Sequence, residues 1–314
     1  MLNPSESTIQ ALKEVDEYVE IMKSGKVLGY SSGFPALDKM VGRIMPGGIW
    51  IIGGYTGTGK SYFILNMVDQ MVESYRKNKD KSEKFPKIVI FSSELTSSEY
   101  MVRHIFMRMG MFRNNLENYR TDKRLQELSQ FYEDYRTERA LEPYSPLVIG
   151  GLRSFDDFEK YIESLEDKPQ IAIIDFVQNL TITHNRKLIV DEKDVMAYIT
   201  NRVKDIAMKY KMAIITVSQI NNYMTSVDNR SNILAPFSNG KLLNQQADTS
   251  IVLNRQRVGG ELSPVLEVIA TKARYGPSGT MGLKINDGYQ LEYISPSEAK
   301  DIITRFKNNV SEIF

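Results

Sequence analysis

Cysteine is absent from this chain of 314 residues, and histidine occurs only twice. Disulfide staples and thiolate metal centres are thereby excluded, and two isolated imidazoles fall short of a zinc ligand set. Charge of one sign is lacking as well: 40 basic residues face 39 acidic ones, a net charge of +1. Any nucleic-acid surface must therefore be local. No apolar run approaches the roughly 18 residues of a membrane span, and internal repeats and low-complexity tracts are missing. The first 25 residues are acidic and periodic, unlike a secretion signal. The expectation is a soluble chain with no membrane partner, suited to a reducing cytosol.

What is present is ordinary in bulk and specific in detail. Hydrophobic content of 42% and charged content of 25% suit a globular protein, and the length allows one large α/β domain or two smaller ones. Gly54-Tyr55-Thr56-Gly57-Thr58-Gly59-Lys60-Ser61 has the spacing G-x-x-x-x-G-K-[ST] of a phosphate-binding P-loop. Glycine is needed there because the backbone must turn tightly and aim several N–H groups into one small cavity. An apolar run, Ile49 to Ile52, precedes it, and a helical pattern from Tyr62 follows, whose free N–H groups and dipole add to the anion site. Gly54, Thr56, Gly57, Thr58, Gly59, Lys60, Ser61 and Tyr62 form the candidate nucleotide-binding set. Lys60 is placed to reach the β- and γ-phosphates of ATP and the Ser61 hydroxyl to coordinate Mg²⁺.

Apolar and helical stretches alternate downstream. Strands are predicted at 87–92, 147–149, 170–175 and 212–217, with helices over 96–111, 120–139 and 194–210 and one capped by Ser154 or Asp157. That alternation implies βαβ crossovers and a parallel sheet with its ligand at the carboxyl edge. Beyond residue 248 the pattern becomes strands with short turns, at 250–254, 265–271, 280–285 and 289–293, expected as an antiparallel appendage. Ser295-Pro296-Ser297-Glu298 predicts a capped final helix over 296–312. At the other end, Ile9, Leu12, Val15, Val19 and Met22 recur at helical spacing over 5–24. That amphipathic helix packs either on its own domain or on a neighbouring subunit.

Four positions extend the site. Asp175 ends an apolar strand, the Walker B arrangement that holds a magnesium shell opposite Ser61. Glu94 follows the strand at 87–92 and reads either as a base that polarises water or as an acid at a helix N-terminus. Gln219 ends the fourth strand, where an amide suits a sensor of the terminal phosphate or a plain polar strand end. Lys272 and Arg274, at alternate positions near a strand end, are surface cations or a finger acting on a nucleotide held by the next subunit.

Together these residues resemble the RecA-like motor domain of DnaB-type replicative helicases, from about Tyr30 to Tyr293. Ser32 to Asp38 is similar to T-G-F-x-x-L-D, Phe91 to Glu94 to F-S-L-E, and Ile173 to Gln178 to I-I-D-Y-L-Q. Ser218 to Asn221 is similar to S-Q-L-N, Asn244 to Asp248 to E-Q-D-A-D, and Lys272 to Pro277 to K-x-R-x-G-P. The resemblance implies a RecA-like P-loop NTPase core with a mostly parallel sheet and antiparallel C-terminal strands. It implies Glu94 as catalytic base, Gln219 as γ-phosphate sensor, and Lys272 with Arg274 as a pair supplied in trans. It further implies a hexameric homo-oligomeric ring on single-stranded DNA, moving 5′ to 3′, with a helicase loader, primase or polymerase as partners.

Residues 1–27 then correspond to a linker helix docking on the adjacent protomer, 28–294 to the ATPase domain and 295–314 to a C-terminal helix. Candidate DNA contacts are Arg186 and Lys187 after the Walker B strand, and Arg230 and Lys241 after the sensor strand. The chain departs from the family in three places. The family's helical N-terminal domain is not expected here, and with it the usual primase contact. Pro236 to Lys241 replaces L-R-x-S, so an arginine expected near the DNA channel is missing or replaced functionally by Lys241, and the last helix extends past the usual end. A filament-forming recombinase or annealing ATPase and a RecA-like regulatory ATPase are the competing readings.

Overall fold

The computed structural model describes residues 4–24, 28–77, 85–111, 122–141, 147–184, 187–188, 191–220 and 241–311. Helix α1 (Pro4–Lys23) stands first, followed by the short α2 (Pro35–Val41). The alternating region comprises β1 (Ile49–Gly54), α3 (Lys60–Lys77), β2 (Ile88–Ser92), α4 (Ser97–Arg108), α5 (Asp122–Leu141) and β3 (Leu147–Gly150). It continues with α6 (Phe155–Ser164), β4 (Ile171–Asp175), the two-residue strands β5 (Thr183–His184) and β6 (Lys187–Leu188), α7 (Glu192–Tyr210) and β7 (Ala213–Gln219). The last part contains α8 (Lys241–Gln246), β8 (Thr249–Asn254), β9 (Arg257–Val258), β10 (Glu261–Leu262), β11 (Val265–Ala273), β12 (Thr280–Ile285), β13 (Leu291–Ile294) and α9 (Pro296–Ser311).

Nine strands form one sheet in the order β13-β12-β11-β8-β1-β7-β4-β2-β3. The strands from β8 to β3 are parallel, and β11, β12 and β13 run antiparallel to their neighbours. The strand expected at 250–254 as part of the antiparallel appendage is its junction with the parallel sheet: it pairs antiparallel with β11 and parallel with β1. The crossover helix α8 is only six residues long, too short for its periodicity to stand out, and β8 is buried on both faces for most of its length, as parallel strands are. The final strand starts at Leu291 and not at Tyr289, because Asp287–Tyr289 forms a 3-10 turn. The hairpin of β9 and β10 adds to the expected elements.

Alternate residues of each central strand feed two cores, because side chains of a strand alternate faces. Trp50 and Ile52 of β1 pack with Phe63, Met67 and Met71 of α3, while Ile49 and Ile51 face Ile199, Val203 and Ile206 of α7. Caps set several helix starts: Thr96 and Glu99 make both bonds of a capping box on α4, and Ser154 accepts the Asp156 N–H on α6. On α9, the Ser295 hydroxyl accepts the Glu298 N–H at 3.2 Å. Helix α9 lies close on the sheet at Gly282, where an added Cβ would fall 2.9 Å from that of Ala299. Helix α1 leaves Ile9, Leu12, Val15, Tyr18 and Met22 between 44 and 60% exposed. Among the described residues no helix is long and apolar enough to cross a membrane.

Candidate nucleotide-binding site

Strand register brings the site together. Gly54 of β1 lies beside Gln219 of β7, and Ser92 of β2 lies beside Asp175 of β4, so the carboxyl ends of four parallel strands meet at one edge. A cleft of about 290 Å³ opens there, lined by Gly57, Lys60, Ser61, Glu94, Asp175 and Gln219 among others. Gly57 and Gly59 adopt φ of +81° and +99°, with open space where a Cβ would stand. Glycine alone takes these angles without strain, and the bare backbone leaves room for a phosphate to approach its N–H groups.

Lys60 is half-buried, and its ammonium donates to the Gly54 and Tyr55 carbonyls at 2.9 and 3.0 Å. Burial lowers its pKa from the ordinary lysine value, against the opposing pull of Asp175 and Glu94. The buried Asp175 carboxyl is pushed up to about 6, first by desolvation and also by Glu94; a hydrogen bond from Ser61 and the charges of Lys60 and Arg103 act the other way. A buried carboxylate whose charge is so incompletely compensated is suited to a divalent cation between it and Ser61. The donor set, one hydroxyl and one carboxylate with cleft space beside them, fits Mg²⁺ completed by water and phosphate oxygens.

Glu94 is exposed at the cleft, two residues before the α4 cap. The helix-capping duty that competes for its interpretation is carried by Glu99, whose carboxylate accepts the Thr96 N–H at 2.9 Å. Gln219 donates from Nε2 to the Thr56 hydroxyl at 2.5 Å, linking the end of β7 to the P-loop. Thr58 folds its hydroxyl back on the Tyr55 carbonyl at 2.8 Å, and Tyr62 opens onto the cleft.

Lys272 and Arg274 lie elsewhere. Strand β11 runs antiparallel to β8, so its carboxyl end reaches the edge opposite the P-loop, about 17 Å away along β1 at ~3.3 Å per residue. Lys272 donates to the Asn244 and Gln245 carbonyls at the end of α8, at 3.1 and 2.8 Å. Arg274 Nη1 is 2.6 Å from Asp248 Oδ1 and the side chain is 52% exposed. Of the candidate DNA contacts, Arg186 and Arg230 lie outside the described residues. Lys187 sits on β6 opposite His184 of β5, and Lys241 begins α8.

Two cleft residues escape a reading of the sequence. Arg103 of α4 lines the cleft, where its charge is felt by Asp175; its place three residues after the buried Tyr100 is a helical-face signal. Tyr289 also lines the cleft and stacks on Tyr62, ring centroids 4.3 Å apart and planes 19° apart. The turn residues Asn286-Asp287-Gly288 announce a reversal, but nothing in them places the next ring over the P-loop helix.

The sequence profile described as DnaB-like helicase C terminal domain matches residues 29–291. The chain is 24% identical over 283 residues to the replicative DNA helicase DnaB of Buchnera aphidicola subsp. Baizongia pistaciae, covering 87% of this chain and 57% of that protein. It is 22% identical over 320 residues to the DnaB of Helicobacter pylori strain J99, covering 97% and 63%. The chain thus spans about three fifths of these relatives' length. Among solved structures, an isolated ATPase domain superposes with a TM-score of 0.71 at 19% identity, covering 91% of this chain and 98% of that one. A DnaB-like replicative helicase studied with primase gives 0.69 at 20% identity, covering 93% and 72%. With its P-loop, its strand-end carboxylates and a match across most of its length, the chain belongs to the DnaB-like helicase C-terminal domain family.

Proposed function

We propose that the chain is the motor of an ATP-driven replicative DNA helicase, which draws one strand of single-stranded DNA through a ring of its own copies. The convergence of Lys60, Ser61, Glu94, Asp175 and Gln219 at one sheet edge carries this reading, together with the family match. Bound ATP with Mg²⁺ supplies an activated terminal phosphoryl group and a cation that neutralises its charge. Lys60 leaves the Gly54 and Tyr55 carbonyls for the β- and γ-phosphate oxygens. Ser61 and Asp175 would hold the cation, and the P-loop N–H groups would cradle the phosphates. Glu94 orients the attacking water and accepts its proton. Gln219, already bonded to Thr56, exchanges that partner for the terminal phosphate and passes its presence into β7. Tyr289, stacked on Tyr62, offers its ring to the nucleobase.

Lys272 and Arg274 are too far from their own cleft to serve it, which supports a role in the cleft of the neighbouring protomer. There an arginine stabilises charge developing on the transferring group. The exposed apolar face of α1 supports docking of residues 1–27 on an adjacent copy. The segments that follow β4 and β7 in the chain contain the candidate DNA contacts Arg186, Lys187, Arg230 and Lys241, and repetition around a ring multiplies weak individual contacts. Loader, primase and polymerase are the partner classes that accompany this role.

The test is unwinding of a fluorescently labelled DNA fork with ATP and Mg²⁺, beside a Lys60→Ala control. Strand separation lost in the control is the expected result. ATP turnover indifferent to any nucleic acid would sink the motor reading, and a helical filament on DNA would replace it with a recombinase.

A further inference from the structure

Asp248 is a buried carboxylate at the edge of the sheet opposite the nucleotide cleft, 2% exposed. Every polar group it has is used in joining two segments. Its N–H donates to the Ile49 carbonyl at 2.8 Å, and its Oδ2 accepts the Ile49 N–H at 2.9 Å. Its own carbonyl accepts the Arg274 N–H at 2.8 Å, and its Oδ1 lies 2.6 Å from Arg274 Nη1. Ile49 is the first residue of β1, the strand that ends in the P-loop. Asp248 therefore fastens the base of the P-loop strand to the residue that closes β11.

The contact with the guanidinium has a particular form. The two atoms form a close ion pair, Nη1 to Oδ1 at 2.6 Å, with the carboxylate buried and the arginine side chain 52% exposed. A guanidinium gripped through one nitrogen by a buried carboxylate is placed by it, and its exposed remainder can meet an anion. The segment after it is also pinned. An added Cβ on Gly42 would fall 2.9 Å from the Tyr275 Cβ, and one on Gly276 would fall 2.7 Å from the Val41 carbonyl carbon. Arg274 thus projects from a base fixed on Asp248 on one side and on the end of α2 on the other.

We propose that Asp248 is a positioning residue, which aims Arg274 at the cleft of the neighbouring protomer and ties it to the P-loop strand of its own. This rests on the reading in which Arg274 acts in trans. Its consequence is a short mechanical path between consecutive sites. A displacement of β1 when its P-loop closes on nucleotide reaches Asp248 through Ile49, and reaches the next site through the guanidinium.

The test uses Asp248→Asn, which keeps an acceptor for the Ile49 N–H and removes the charge that holds Arg274. Turnover of the assembled variant is expected to fall about tenfold or more, with KM for ATP within about twofold, since its own cleft is intact. Mixing supplies a readout that a merely structural role does not move. Lys60→Ala subunits have a dead cleft but a sound finger, and Asp248→Asn subunits the reverse. Mixed assemblies should exceed the mean turnover of the two pure variants about fivefold, as should the control pair of Arg274→Ala with Lys60→Ala. Recovery in the control alone overturns the role of Asp248 and leaves the trans reading intact. Recovery in neither removes both, and unchanged turnover of Asp248→Asn overturns the proposal outright. Asp248→Ser, smaller and uncharged, serves if the amide prevents assembly.

Discussion

Glu94 and Glu99 are five positions apart, flank the same helix start, and have different surroundings. Glu99 is bonded to the backbone and hydroxyl of Thr96, so its work is local and structural. Glu94 faces the cleft with Lys60 and Asp175. Glu94→Gln is accordingly expected to bind ATP and to lose turnover by roughly 10²–10⁴-fold, as read by nucleotide binding alongside phosphate release. Glu99→Ala should leave turnover near normal and lower the melting temperature by an amount matching about 0.5–1 kcal/mol. Tyr289→Ala removes a stacking face, an effect of about 1–3 kcal/mol for a base. It should therefore raise KM for ATP about tenfold with little change in kcat, and an unchanged KM would exclude the ring from nucleotide contact. The phosphate cradle is legible in the sequence because backbone N–H convergence demands glycine at fixed spacing. Tyr289 is not, since stacking is set by tertiary approach of a distant turn and leaves no spacing to read.

Among the elements, the central parallel strands are the easiest to foresee, because strands covered on both faces must be continuously apolar. Strand β8 shows the limit of that reading. Its run Thr249 to Leu253 is buried throughout, yet a short apolar run fits a parallel or an antiparallel neighbour equally well. It has one of each, β1 parallel on one side and β11 antiparallel on the other. Helix α1 is legible as an amphipathic stripe, and its apolar side lies exposed in the single chain. If that side docks on a neighbour, Leu12→Asp removes the burial of one leucine, roughly 2 kcal/mol, and places a charge in the contact. Sedimentation should show assembly shifted to at least about thirtyfold higher protein concentration, with the fold retained by circular dichroism. Assembly at the wild-type concentration would exclude α1 from the contact.

At the scale of the molecule, a net charge of +1 gives no general attraction to nucleic acid, so in the proposed motor affinity for DNA would come from local contacts repeated over several copies. Binding to single-stranded DNA should therefore rise steeply with assembly. Dilution below the assembly threshold is expected to abolish it, as read by fluorescence anisotropy. The sheet has its nucleotide cleft at one edge and the Arg274 cation at the other. Where two such surfaces meet head to tail, the contact is heterologous and repeats into a closed ring or an open filament. If Arg274 serves a neighbour's cleft, an open arc of such copies leaves one cleft without its arginine and one arginine without a cleft. Closing the arc would pair those two, so the last subunit to join would complete two sites by adding one chain.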